Sequence, residues 1–125
     1  KVYSTDICVP ISKLVECISW AEKEVKDKNL IAPMVGHVGD GNFHSIILYD
    51  PNDIEKQKLI KQYSDNLIEK ALELEGTITG EHGIGLQKKG YLLKEHPDNL
   101  PVMKSIKRGL DPNNIMNPGK VFDLN

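Results

Sequence analysis

The stretch Leu30-Ile31-Ala32-Pro33-Met34-Val35-Gly36-His37-Val38-Gly39-Asp40-Gly41-Asn42-Phe43-His44-Ser45-Ile46-Ile47-Leu48-Tyr49 decides the fold. Residues 30–38 read as a largely buried strand and residues 42–49 as another. Between them Gly39-Asp40-Gly41-Asn42 carries the Asp-Gly signal of a tight hairpin, so the two strands are expected to be antiparallel neighbours. A turn centred on Asp40-Gly41 sets Gly39 against Asn42, Val38 against Phe43 and His37 against His44. Cross-strand partners on one face have Cβ atoms about 4.5–5.5 Å apart, which makes the two imidazoles direct neighbours. A four-residue loop with the same centre keeps this pairing, whereas a one-residue bulge destroys it.

Outward from the hairpin, residues 2–9 mix β-branched and aromatic types without a helical period, and Pro10 stops ladder bonding, as suits a first strand. Leu14, Cys17, Ile18, Ala21 and Val25 then recur at steps of three and four, with Glu16, Glu22, Lys23 and Lys26 on the other side. The pattern predicts an amphipathic helix ending near Asn29. Trp20, on this helix, is a packing residue or an interface anchor. Asp50-Pro51-Asn52-Asp53 offers an N-cap, a proline at the first helical position and a carboxylate in the first turn. The helix it predicts carries the stripe Ile60, Tyr63, Leu67, Ala71 and Leu74, and Gly76 closes it through the left-handed conformation that glycine tolerates. A glycine-punctuated segment, residues 77–85, leads to helices around 87–95 and 99–110, then to the turn signals Asp111-Pro112-Asn113-Asn114 and Asn117-Pro118-Gly119. The order predicts an α+β fold, an antiparallel sheet flanked by helices in a ferredoxin-like β-α-β-β-α arrangement with short C-terminal helices. The sixth element of that unit is absent or replaced by residues 77–85.

The 125 residues suffice for one domain with one core. Sixteen basic against eighteen acidic side chains, with no run of five or six like charges, argue against generic nucleic-acid binding. No apolar run approaches the roughly 18 residues of a membrane span. The opening Lys1-Val2-Tyr3, without Met and extended at once, reads as a cut through a larger protein. Two cysteines, Cys8 and Cys17, are too few for a disulfide framework and are expected as buried free thiols. Gly36, Gly39 and Gly41 lack the G-x-G-x-x-G spacing and join two strands, which excludes a dinucleotide fingerprint; no nucleophile elbow is present either.

Chemistry concentrates on the histidines. His37 and His44 flank the hairpin, His82 lies in Gly80-Glu81-His82-Gly83, and His96 looks incidental. Two imidazoles suit zinc or another divalent transition metal, and a carboxylate completes a His₂Glu set with positions open to substrate. Glu81 is the candidate third ligand, because flanking glycines let the backbone come close to a ligand. Ordinary surface or core placement of the histidines stands as the alternative.

Three strings, 36–44, 79–85 (Thr79-Gly80-Glu81-His82-Gly83-Ile84-Gly85) and 116–121 (Met116-Asn117-Pro118-Gly119-Lys120-Val121), together with the opening Val2-Tyr3-Ser4-Thr5-Asp6, resemble the C-terminal region of FAD-linked D-2-hydroxyacid dehydrogenases. The likeness covers essentially the whole chain and is greatest to the cytochrome-c-reducing members that act on D-lactate. The resemblance implies that residues 1–125 are the C-terminal part of a cap, or substrate, domain, and that an FAD-binding domain precedes them. It implies a divalent metal, zinc or manganese, on His37, His44 and Glu81, with His82 as catalytic base. It further implies oxidation of D-lactate to pyruvate with hydride transfer to FAD and electrons passed to cytochrome c, in the mitochondrion of a eukaryote and otherwise in the cytoplasm or at the membrane periphery. Asn117, in a motif that returns toward the flavin domain in relatives, approaches the isoalloxazine or is a structural turn residue. Related 2-hydroxyglutarate dehydrogenases often carry Asn two positions after the second metal histidine; Ile46 stands there in this chain and favours a small, apolar-tailed substrate. The alternatives are a glycolate or D-2-hydroxyglutarate dehydrogenase, or a non-catalytic ferredoxin-like binding module. Glu81 and His82 are expected on opposite sides of an extended loop.

Overall fold

The computed structural model describes residues 1–124, in two compact units divided after His82. The first unit holds strands β1 (Val2–Ser4), β2 (Ile7–Cys8), β3 (Met34–Val35) and β4 (Asn42–Leu48), with helices α1 (Ile11–Asp27) and α2 (Ile54–Glu73). β4 is central. β1 and β2 pair with it antiparallel in one continuous register, Val2 opposite Leu48 through Cys8 opposite Asn42, so they are two pieces of the single strand expected over 2–9. β3 pairs with β4 through Met34–Ser45 and Val35–His44. Thr77 adds one antiparallel bridge to Cys8, the remnant of the sixth element. The result is an α+β fold with an antiparallel sheet of split β-α-β connectivity.

Alternation along the strands separates two faces. Tyr3, Thr5, Ile7, Phe43, Ser45 and Ile47 point toward the helices, where Tyr63 Oη meets Ser45 Oγ at 2.6 Å and Tyr3 Oη meets Ser64 Oγ at 3.1 Å. Leu14, Cys17 and Ala21 of α1 and Ile60, Tyr63, Leu67 and Ala71 of α2 fill the core, matching the predicted stripes. Asp6, Asn42 and His44 alternate onto the opposite face. That face carries the candidate site.

Four local expectations are corrected. Residues 30–38 are mostly exposed and form only the two-residue β3 plus a bridge from Ile31 to Leu48, with Pro33, which has no N–H, set between them. The connection to β4 is a loop over 36–41 containing a 3₁₀ turn, Val38–Asp40, which Gly41 ends at φ +77°. α2 starts three residues late: Asp53 is its N-cap, accepting from the Lys56 N–H at 2.8 Å, while Asp50 accepts the Asn52 N–H in an Asx turn just before it. Finally, the left-handed residue after α2 is Glu75, at φ +61°; Gly76 is needed for close approach, since a Cβ there would stand 2.3 Å from the Cys8 carbonyl oxygen. Cys17 is buried as expected, whereas Cys8 is only half-buried; both are free.

The second unit contains α3 (Lys89–Glu95) and α4 (Leu100–Leu110), close to the predicted spans. Beyond α4 the buried Asp111 carboxylate accepts the N–H groups of Ile115 and Met116 and pairs with Lys107, so the Asp-Pro-Asn-Asn turn is closed by its first residue. Asn117 follows in a turn of its own, at φ +48°, its carbonyl accepting the Lys120 N–H at 3.2 Å. No helix among the described residues is long and apolar enough to cross a membrane.

Candidate active site

His44 is fixed by the strand beside it. In an unbroken antiparallel ladder the Thr5 carbonyl would accept the Ser45 N–H. Here the Thr5 hydroxyl accepts that proton at 2.8 Å, and the carbonyl it frees accepts from His44 Nδ1 at 3.0 Å. A carbonyl can only accept, so the proton of the neutral ring sits on Nδ1 and the Nε2 lone pair points outward. The cross-strand neighbour of His44 is Val35, not the expected His37, because the longer loop shifts the register and leaves His37 outside the ladder. His37 nevertheless comes near from the exposed loop, its Nε2 lying 3.8 Å from Glu81 Oε2.

Glu81 and His82 are delivered by the 79–82 loop, which wraps the Asp6 carboxylate. Asp6 accepts from the Thr79 hydroxyl (2.6 Å), the backbone N–H groups of Gly80 (3.0 Å), Glu81 (3.2 Å) and His82 (2.9 Å), and the Asn42 amide (2.9 Å). Successive N–H groups of an extended strand alternate in direction, so three converging on one carboxylate define a tight concave turn. The extended loop with Glu81 and His82 on opposite sides is therefore corrected. Both side chains turn to His44: Glu81 Oε1 lies 2.7 Å from His44 Nε2, and the His82 ring stacks on the His44 ring at 4.9 Å, 3° from parallel. Glycine is required at position 80, where a Cβ would stand 1.8 Å from Asn42 Nδ2.

The electrostatics favour a cation. Burial works to raise the Asp6 pKa, but the hydrogen bonds from Thr79, His82, Asn42 and Glu81 outweigh it and hold the carboxyl well below the usual carboxylate range. Glu81 Oε1 faces His44 Nε2 at 2.7 Å. The two Glu81 oxygens each face a different imidazole, at 2.7 and 3.8 Å. Two imidazoles and a carboxylate are donor types that suit a divalent ion. Among the described residues the group whose ligand atoms all lie within 4.8 Å of one another is Asp6, His44 and His82, without His37 or Glu81. Five donor groups already occupy the roughly four lone-pair sites of the Asp6 carboxylate, which makes it an anchor for the loop.

Reasoning from sequence missed Asp6, Thr5 and Asn42. A signal was available for Asp6: it is the only ionisable carboxylate within an otherwise strand-like stretch, residues 2–9. Asn117 lies in the second unit and is described there by its turn alone.

Comparison with known proteins bears on this geometry. The family described as FAD linked oxidases, C-terminal domain, matches residues 1–121. A protein of Danio rerio named probable D-lactate dehydrogenase, mitochondrial, is 48% identical over 99% of the chain, and the D-lactate dehydrogenase [cytochrome], mitochondrial, of Arabidopsis thaliana is 46% identical over 94%. Glycolate oxidase subunit GlcD of Bacillus subtilis is 36% identical over 94%. The chain spans 25%, 21% and 25% of these relatives' lengths, so it corresponds to about a quarter of each. The strand that fixes His44 and the loop that brings Glu81 and His82 to it both fall inside the matched residues, and the chain belongs to the family of FAD linked oxidases, C-terminal domain.

Proposed function

We propose that this chain is the C-terminal part of the substrate domain of a flavin- and metal-dependent D-2-hydroxyacid dehydrogenase that oxidises D-lactate to pyruvate, with an FAD-binding domain elsewhere in the whole polypeptide. The observation that carries the proposal is the Glu81 carboxylate set between His44 and His37 with His82 stacked alongside. His37, His44 and Glu81 would hold a divalent cation, zinc or manganese. Such a cation, when bound, lowers the pKa of a coordinated hydroxyl and grips the substrate carboxylate. FAD supplies the two-electron acceptor that no side chain can provide.

The chain's own residues then handle position and proton. His44, fixed through Nδ1 by the Thr5 carbonyl, orients the ligand set. His82, half-exposed beside it, takes the C2 hydroxyl proton and can return it to solvent. Ile46, two residues along β4 from His44, shares its face of the sheet and suits the methyl group of lactate. Relatives whose names carry the word cytochrome, and the word mitochondrial, support cytochrome c as acceptor and a mitochondrial location in a eukaryote.

In the full-length protein, elemental analysis of parent and His44→Ala tests the metal reading: about one divalent ion per chain is expected in the parent and a large loss in the variant. Equal content in both would remove His44 from the site. The Bacillus subtilis relative supports glycolate as the second reading of the substrate, and kcat/KM for D-lactate against glycolate separates the two.

A further inference from the structure

We infer that Asp6 is a positioning residue, whose buried carboxylate holds the backbone of residues 79–82 so that Glu81 and His82 both face His44. The inference rests on the reading of Glu81 and His82 given above and names what sets their geometry. Asp6 lies in the gap between β1 and β2, opposite His44 in the register those strands share along β4. The same pair of strands therefore fixes one imidazole of the site and the anchor for its carboxylate and second imidazole. Position, not ligation, is its task. Oδ1 takes the Asn42 amide and Oδ2 takes the Thr79 hydroxyl and the Gly80 and His82 N–H groups, while the Glu81 N–H lies within 3.3 Å of both oxygens.

Both oxygens are needed as acceptors. An asparagine at this position would offer one oxygen and one NH₂. With the NH₂ at Oδ1 it would meet the Asn42 amide; with the NH₂ at Oδ2 it would meet the Thr79 hydroxyl and two backbone N–H groups. Either orientation sets donor against donor and turns part of the loop away. The consequence reaches Glu81 and His82 through their own backbone, without any contact between Asp6 and substrate.

The test uses the full-length protein with Mn²⁺ as the probe. Asp6→Asn should speed hydrogen exchange in peptides spanning residues 79–82 more than in peptides from α2, and should weaken Mn²⁺ binding about 10- to 100-fold, as loss of a residue that orients a ligand does. In a Glu81→Gln background the same substitution should weaken Mn²⁺ binding less than about twofold, because its effect travels through Glu81. If Asp6→Asn does not fold, Thr79→Val removes one donor to the carboxylate without burying a new polar group, and the same pattern is expected with a smaller amplitude. Unchanged exchange at 79–82 would overturn the inference, as would an equal loss of Mn²⁺ affinity in both backgrounds. If the parent itself binds no Mn²⁺, the metal reading of the site fails, and the exchange result alone decides whether Asp6 holds the loop.

Discussion

Asp6 and His44 face each other across the sheet: Asp6 Oδ1 stands 3.6 Å from His44 Nδ1, which donates to the Thr5 carbonyl at 3.0 Å. The buried carboxylate is left for the 79–82 loop, and the imidazole presents its other nitrogen to Glu81. One strand-to-strand register thus serves two tasks, and the hydroxyl of Thr5 makes this possible by replacing its own carbonyl in the ladder.

Thr5→Val is accordingly expected to affect both stability and the site. The substitution keeps the shape but deprives the buried Ser45 N–H of its acceptor, a loss worth about 1–3 kcal/mol. If the Thr5 carbonyl turns back to the ladder to repair this, His44 loses the partner that fixes its ring. Denaturant unfolding and divalent-metal affinity of parent and variant, measured side by side, should both fall; a drop in stability with unchanged metal affinity would show that the ring is held by something other than Thr5.

Gly80→Ala should be costly out of proportion to one methyl group. The added Cβ would lie 1.8 Å from Asn42 Nδ2, which cannot swing aside because it donates to both Asp6 Oδ1 and the Ile7 carbonyl. Overpacking of this kind typically costs about 1–3 kcal/mol. Gly39→Ala, where a Cβ would meet nothing within 4 Å, is the control, and it should leave thermal stability within error of the parent.

The core predicts an alkaline limit to stability. Burial pushes the Tyr63 hydroxyl up to about 12 and the Cys17 thiol up to about 11, from ordinary values of 10.0 and 9.0. Both groups are neutral in the fold, and the folded state binds their protons more tightly than the unfolded chain does. Their contribution is complete below pH 9, begins to be lost as Cys17 passes its ordinary value, and is exhausted as pH rises through about 12. A rise of this size in one group corresponds to about 3 kcal/mol. Unfolding midpoints from pH 8.5 to about 12 should fall steadily in the parent and less steeply in Tyr63→Phe, which has no hydroxyl to ionise; parallel slopes would remove Tyr63 from the account.

These dependences explain what the sequence could and could not reveal. The stripes of α1 and α2 were readable because helical periodicity is local: Leu14, Cys17 and Ala21, and Ile60, Tyr63, Leu67 and Ala71, all reach the core. The hairpin is not legible because Asp40-Gly41 is compatible both with a two-residue turn and with the end of a longer loop, and the longer loop found here packs Gly36 closely against Asn42 and Phe43. His37, His44 and Glu81 are singled out by residue type and glycine context; Glu81 lies 2.7 Å from His44, while His37, arriving from a loop and not from the ladder, lies 3.8 Å from Glu81. Asp6 stands out as the lone carboxylate of its strand, but its task is not legible, since the loop it anchors lies more than seventy residues away.

Glu81 and His82 should fail differently when truncated, although they are adjacent and both face His44. Glu81 Oε1 is 2.7 Å from His44 Nε2 and its second oxygen lies 3.8 Å from His37 Nε2, and the proposed function makes it a ligand. His82, the base of the proposed function, stacks on the His44 ring at 4.9 Å, 3° from parallel. In the full-length enzyme, His82→Ala should therefore keep its metal and flavin yet lose roughly 10²–10⁴ in turnover, the range for removal of a general base. Glu81→Ala should lose metal first, and high concentrations of added metal should partly restore its activity. Metal analysis and turnover on the same two preparations decide the matter: metal loss in His82→Ala to the extent seen in Glu81→Ala would make His82 a ligand, and near-parental turnover at pH 7 would leave the proton without an acceptor among these residues.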